Sequence, residues 1–160
     1  MAFDFDSKKL VFCILVCELA GIIGSIFTIS SISTWYATLQ KPLFSPPNWV
    51  FAPVWTILYA LMGIALYLVW TKGLETKNVG NAIKAFAVQL VLNASWSIVF
   101  FGFHSPFYAF INILLLIAAI IWTIVEFCKV SKTAAYLLAP YLAWVSFAAL
   151  LNYSVWMLNP

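Results

Sequence analysis

Five stretches of nearly unbroken apolar residues divide the chain, at roughly 9–30, 49–71, 82–103, 107–127 and 134–157. Each is close to the ~20 residues that a helix needs to cross a hydrocarbon layer of ~30 Å. The breakers between them are short: TKGLETKNVGN after the second run and HSP at 104–106 after the third. The ~10-residue alternating strands of a transmembrane barrel do not occur. The pattern predicts an all-α integral membrane protein, one five-transmembrane-helix bundle over residues 1–160. Composition agrees, with 65% hydrophobic and 8% charged residues and a mean hydropathy of +1.03. A water-soluble domain cannot hide that much apolar surface. The first run is longer than a signal-peptide core and contains Glu18, so it reads as a retained span.

The stretch 31–48 fits no helix pattern. From Lys41 to Trp55 it continues as KPLFSPPNWVFAPVW, with four prolines among rings. Proline fixes φ and removes a backbone donor, so such a loop is stiff. Asn48 is placed to cap the second span, and Pro53 falls in its first turn, where a missing N–H costs least. Residues 35–48 are therefore expected to form a rigid lid, with Trp35, Tyr36, Phe44 and Trp49 as its apolar faces. Contact with lipid headgroups alone is the plainer use of such a loop. Pro140, inside the fifth span, is expected to kink it by freeing the Tyr136 carbonyl.

Polar side chains in hydrocarbon need a partner or a cavity. Span 1 carries Cys17, Gly21, Ser25 and Thr28 on one face, and span 2 carries Trp55 and Tyr59 one turn apart. Span 3 carries Gln89, Asn93, Ser97 and Phe100, with Trp96 beside them. Span 4 carries Asn112, Ala119 and Trp122, and span 5 carries Trp144, Ala148 and Asn152. At 1.5 Å rise per residue most of these fall within roughly 15 Å of the lid side. They are expected to line a pocket under the lid. Helix packing and interfacial belts use the same residue types, and for any one of these residues that use stays open.

Charge adds an orientation. There are eight lysines and no arginine. Lys8, Lys9, Lys72, Lys77, Lys84, Lys129 and Lys132 share one side, against Lys41 on the other. By the positive-inside rule the N-terminus is cytoplasmic and the lid lies outside. A net charge of +3, this scattered, excludes a nucleic-acid partner. The lysine-only basic set points to a prokaryotic cell membrane.

The stretches WYATLQKPLFSPPNWVFAPVWTILYALMG, LNASWSIVFF and APYLAWVSFAALLNYSVWMLN resemble the TspO/MBR family. Its members are also called translocator proteins, tryptophan-rich sensory proteins and peripheral-type benzodiazepine receptors. The resemblance runs from Trp35 to Asn159. It implies a five-helix bundle, usually a homodimer, with a pocket under the first loop for protoporphyrin IX, haem and synthetic benzodiazepine-type ligands. Carried over by position, the ligand-facing residues are Tyr36, Pro46, Trp55, Tyr59, Asn93, Trp144 and Ala148. The depth argument adds Trp96 and Ser97. Some bacterial members are reported to degrade porphyrin in light through tryptophan radicals, which would make Trp55 and Trp144 the catalytic candidates. Animal members carry a basic residue soon after the span-5 tyrosine, in a proposed cholesterol motif; no Lys or Arg follows Tyr153 here.

Ordinary catalysis has little to work with. His104 is the lone histidine, a candidate axial ligand for haem iron and otherwise a turn residue. By its depth Glu18 is expected to lie far from the ring cluster, and a hydrogen-bonded packing role explains it equally well. Glu126 and Lys129 are spaced as a helix pair. Cys13, Cys17 and Cys128 have no metal or redox spacing. No cofactor is obligatory, and porphyrin or haem would be a ligand. Three classes remain: a tetrapyrrole-binding sensor or regulator, a light-dependent porphyrin-degrading enzyme, and a carrier of small hydrophobic molecules. Internal repeats, common in carriers, are missing. For the homodimer, the small residues Ala20, Gly21, Gly24 and Ser25 of span 1, or Ala87 and Ala94 of span 3, are available.

Overall fold

The computed structural model describes residues 6–160. The acidic start at Asp4 lies outside the described residues. Helix α1 runs Ser7–Ile32 and a short α2 runs Trp35–Thr38. A 3-10 turn, Asn48–Val50, leads into α3, Phe51–Trp70. Helix α4, Lys77–Ser97, continues into a π-helical segment, Ile98–Gly102. Then come α5 (Pro106–Cys128), α6 (Lys132–Leu137) and α7 (Ala139–Leu158). Five helical units are long and apolar enough to cross a membrane. The third begins at Lys77, five residues before the apolar run suggested, because polar Lys77, Asn78 and Asn81 extend the helix beyond the hydrocarbon.

The ends follow from local chemistry. Asp6 caps α1, its carboxylate accepting from the Lys9 N–H at 3.1 Å. That bond, helped by the Lys9 charge, holds the Asp6 carboxyl below its ordinary value. Ser131 caps α6 through the Ala134 N–H at 3.3 Å. Asn48 does not cap α3 with its side chain: it is the first residue of the 3-10 turn, its carbonyl taking the Phe51 N–H. Two prolines just before it already impose an extended entry, so a side-chain cap is unnecessary. Pro53 lies in the first turn of α3, and Pro106 sits at the start of α5. The fifth span breaks at Leu138, leaving Pro140 in the first turn of α7.

The helices form a closed ring: α1 packs on α3 and α4, α4 on α5, α5 on α6 and α7, and α6 returns to α3. At the end where most lysines lie, the interior is small and tight, with Ala65, Ala82, Ala85, Ala134 and Ala135 all buried. The approach of α1 to α3 depends on Gly63. A β-carbon there would sit 2.5 Å from the Ile14 Cα, which is backbone and cannot swing aside. Gly21 and Gly24 likewise leave room for neighbours, here the side chains of Tyr59 and Ser97. These small residues of α1 are thus used inside the protomer, and Gly24 and Ala20 are buried. They do not offer a free dimer face.

Gly63→Ala should force α1 away from α3. We expect a loss of about 1–3 kcal/mol, the cost of overpacking. A thermal melt of the purified protein in detergent checks it, with Gly80→Ala as control, since nothing lies within 4 Å of a β-carbon at position 80.

Candidate functional site

A cavity of about 430 Å³ lies at the capped end of the bundle, opposite the lysine-rich end. The size suits a small-molecule site. Trp55 and Tyr59 from α3 form one wall, stacked with ring centroids 5.4 Å apart. Trp96 and Phe100 form another, stacked at 5.1 Å. Phe100 and Phe101 both point inward although adjacent in sequence, and both are buried. A regular α-helix would turn them ~100° apart. The π segment widens the turn, the Phe103 N–H reaching back five residues to the Ile98 carbonyl. The Ser31 hydroxyl donates to the Phe101 carbonyl at 2.8 Å, tying α1 to that segment.

Below the rings runs a buried chain of hydrogen bonds. The Tyr59 hydroxyl donates to Asn93 Oδ1, and Asn93 Nδ2 donates to the Tyr141 hydroxyl at 2.9 Å. Tyr141 donates onward to Gln89 Oε1 at 2.8 Å. Beside it Trp96 Nε1 donates to Asn152 Oδ1 at 3.0 Å, and Asn152 Nδ2 donates to the Pro106 carbonyl. These bonds join α3, α4, α5 and α7, so the floor of the cavity is fixed.

The lid crosses the mouth in two parts. In α2, Trp35 and Tyr36 pack edge-on against Phe100, and Tyr36 also against Phe101. Burial pushes the Tyr36 phenol above its ordinary value, while a hydrogen bond to Ser45 pulls it down. Lys41 Nζ lies 4.4 Å from the Tyr36 ring centre. Further on, the Gln40 N–H donates to Asn159 Oδ1 and Asn159 Nδ2 donates to the Gln40 carbonyl, both at 3.0 Å. The loop is therefore latched to the end of α7. Phe44 meets Phe147 of α7, whereas Trp49 is mostly exposed.

Of the sequence candidates, Tyr36, Trp55, Tyr59, Asn93, Trp96, Ser97 and Ala148 line the cavity. Pro46 and Trp144 do not. Trp144 packs on Phe51 and Phe147, so Phe51 stands at the wall where the tryptophan was expected. The expected share of span 4 also changes. Ile113 and Leu116 reach the wall, while Asn112 donates to Ser95 and Trp122 is 45% exposed. Ala119 is buried between helices. Cys17 is fully buried behind the wall, while Gly21, Ser25 and Thr28 line it. Glu18, expected far from the rings, lines the cavity. Depth along α1 alone concealed this; α1 crosses α3 near Gly21 and Tyr59, so the residue one turn earlier still sees the void. Asn152, Phe51 and Phe101 complete the rings and amides of the wall.

His104 has a left-handed φ of 52° and stacks on Trp35 at 4.5 Å, with Nε2 3.4 Å from the Ser31 hydroxyl. It does not line the cavity. Among the described residues no set of three metal-ligating side chains exists. Glu126 and Lys129 pair at 2.6 Å near the lysine-rich end.

The five membrane-length helices thus enclose a ring-walled cavity under a proline-stiffened, latched loop. The chain belongs to the TspO/MBR family, whose model matches residues 13–157. It is similar to the tryptophan-rich protein TspO of Chlorobaculum tepidum, 46% identical over 151 residues, covering 94% of this chain and 96% of that protein. The human translocator protein is 42% identical over 146 residues, covering 91% and 86%. A tryptophan-rich sensory protein of Cereibacter sphaeroides is 36% identical over 128 residues, covering 78% and 77%.

Tyr141→Phe should leave Gln89 Oε1 and one Asn93 N–H without partners. Unpaired buried groups cost about 1–3 kcal/mol, so the thermal midpoint should drop while the helical circular dichroism stays. An unchanged midpoint would mean that the chain of bonds does not brace the floor.

Proposed function

We propose that the cavity binds a tetrapyrrole, protoporphyrin IX or haem, and that the protein acts as a sensor or regulator of such ligands in the membrane. The reading rests on one observation: Trp55, Tyr59, Trp96 and Phe100 present stacked ring pairs to a single void of ligand size. A flat π-system gains most from such walls by offset or edge contact. Lys41, beside Tyr36 at the mouth, would stand near the propionates of a ligand that enters ring-first. The relative from Cereibacter sphaeroides is named for sensing, which is the role we adopt.

The orientation that goes with this role puts the lysine-rich end in the cytoplasm and the lid outside, by the positive-inside rule. A homodimer would use the outward side of α4, where Ala87 and Val91 are exposed, and not the occupied glycine face of α1. A light-driven degradation would have to begin at Trp55 or Trp96, since Trp144 stands behind Phe51.

Trp55→Ala should weaken protoporphyrin IX binding by about tenfold, the value of a lost aromatic contact plus its buried area. Trp144→Ala should change it much less. Fluorescence quenching titrations in the dark, on variants with unchanged circular dichroism, provide the check. Equal affinities for Trp55→Ala and the parent protein would remove the tetrapyrrole from this cavity.

A further inference from the structure

The cavity wall carries one carboxyl group and no cationic side chain. Glu18 of α1 is half-buried and lines the void, and no lysine or histidine does so. It makes no hydrogen bond and no ion pair among the described residues. The other acid within the helices behaves differently, Glu126 being paired with Lys129. An acidic side chain at membrane depth is expensive, and helix packing does not require one at this position.

The neighbouring polar groups sharpen the picture. Ser25, Thr28 and Thr56 line the cavity and spend their hydroxyl protons on the backbone carbonyls of Ile22, Gly24 and Ala52. Tyr59 and Trp96 spend theirs on Asn93 and Asn152. Those donors are consumed, while Trp55 Nε1, the Ser97 hydroxyl and the Asn48 amide stay free at the wall as neutral donors; the one group there that can carry charge at neutral pH is the Glu18 carboxyl, set among lone pairs and ring faces. Ring faces attract cations, through the negative face of the π-system. A carboxylate with no internal counter-ion does the same more strongly in a low-dielectric site.

We propose that this cavity is also a receptor for hydrophobic amines and organic ammonium ions, with Glu18 as the anionic contact and Trp55, Tyr59 and Trp96 as the cation-facing rings. A protonated tertiary amine would donate its N–H to the carboxylate. A quaternary ammonium would be held by charge and ring faces alone. The apolar remainder of the ligand occupies the space bounded by Ile113, Leu116 and Val145. The assignment does not depend on tetrapyrrole binding, because it uses the carboxyl group and not the fit of a macrocycle.

The test uses the full-length protein in nanodiscs of zwitterionic lipid and two isosteric probes. One is the (naphthalen-2-ylmethyl)trimethylammonium ion, and the other is neutral 2-neopentylnaphthalene. Equilibrium dialysis against protein-free nanodiscs removes partitioning into lipid. We expect the charged probe to bind about tenfold more tightly at pH 8, as a desolvated cation–ring contact with a carboxylate implies. That preference should fade as pH falls and Glu18 takes up a proton, while the neutral probe stays constant. The other titratable groups facing this part of the void are Tyr36 of α2 and Tyr59 of α3, with Cys17 behind on α1. Helices α4 and α7 contribute none to the wall, and phenols and thiols remain neutral below pH 8. Glu18→Gln should erase the preference, and Glu18→Asp should keep part of it. Equal binding of the two probes, a preference without pH dependence, or one that survives in Glu18→Gln would overturn the proposal. If Glu18→Gln fails to fold, the pH series on the parent protein decides alone. Protoporphyrin titration of the same samples reports separately on the tetrapyrrole reading.

Discussion

Hydrocarbon offers no water to a buried amide or hydroxyl, and that constraint organises the bundle. Most polar side chains at depth find a protein partner or face the cavity, Trp144 being an exception whose buried Nε1 does neither. Asn93 shows the rule at its strictest: its oxygen takes the Tyr59 proton and its nitrogen serves Tyr141. Asn152 does the same between Trp96 and the Pro106 carbonyl. Bonds of this kind in membranes contribute only ~0.6 kcal/mol each on average. Their main effect is therefore on geometry. A helix rotated by one position would strand several donors at once, so the bonds select the rotation in which Tyr59, Trp96 and Asn93 face one another.

Helix α1 is held by a different device. Between Asp6 and Ser31, none of its described side chains bonds to another helix; the hydroxyls of Ser25 and Thr28 turn back to their own backbone. Its position comes from contact shape, with Gly21 against Tyr59, Gly24 against Ser97 and Ile14 against Gly63. Dispersion at such close approach replaces directed bonds. The consequence reaches the site. The wall supplied by α3, α4 and α7 is pinned by hydrogen bonds, whereas the wall supplied by α1 is placed by close packing. Glu18, Ser25 and Thr28 thus stand on the side of the cavity that packing positions.

Much of this was legible in the sequence because periodicity and depth are both one-dimensional. Five spans, the kink at Pro140 and the meeting of Tyr59, Asn93, Trp96 and Ala148 follow from spacing along single helices. What failed needed a second dimension. Trp144 and Ala148 share a face of α7 by spacing, yet Phe51 from the start of α3 comes between Trp144 and the void. Glu18 was hidden because the crossing point of α1 and α3 is set by glycines whose partners lie in another helix. The π segment leaves no propensity signal in IVFFG; it exists because Phe100 and Phe101 both gain burial. Asn48 has the right residue type for a cap, but the preceding prolines had already fixed the chain there.

Side-chain size explains why the cavity lies at the capped end. At the lysine-rich end the helices meet over Gly63, Ala65, Ala82, Ala85 and Ala134, and axes can approach closely. Toward the lid the contacts become Trp35 on Phe100, Phe51 on Trp144, and Phe107 and Phe110 on Trp156. Rings of that size at the helix contacts wedge the axes apart. Where the ring of helices widens, Gly21, Ala52, Ser97 and Ala148 face inward and are too small to refill the centre. The void is the space between large residues at the seams and small ones on the inner faces. Closing it would require larger residues at those inner positions, without any change in the helices themselves. The latch between Gln40 and Asn159 then matters for a physical reason: it fixes the loop across an end that helix packing leaves open.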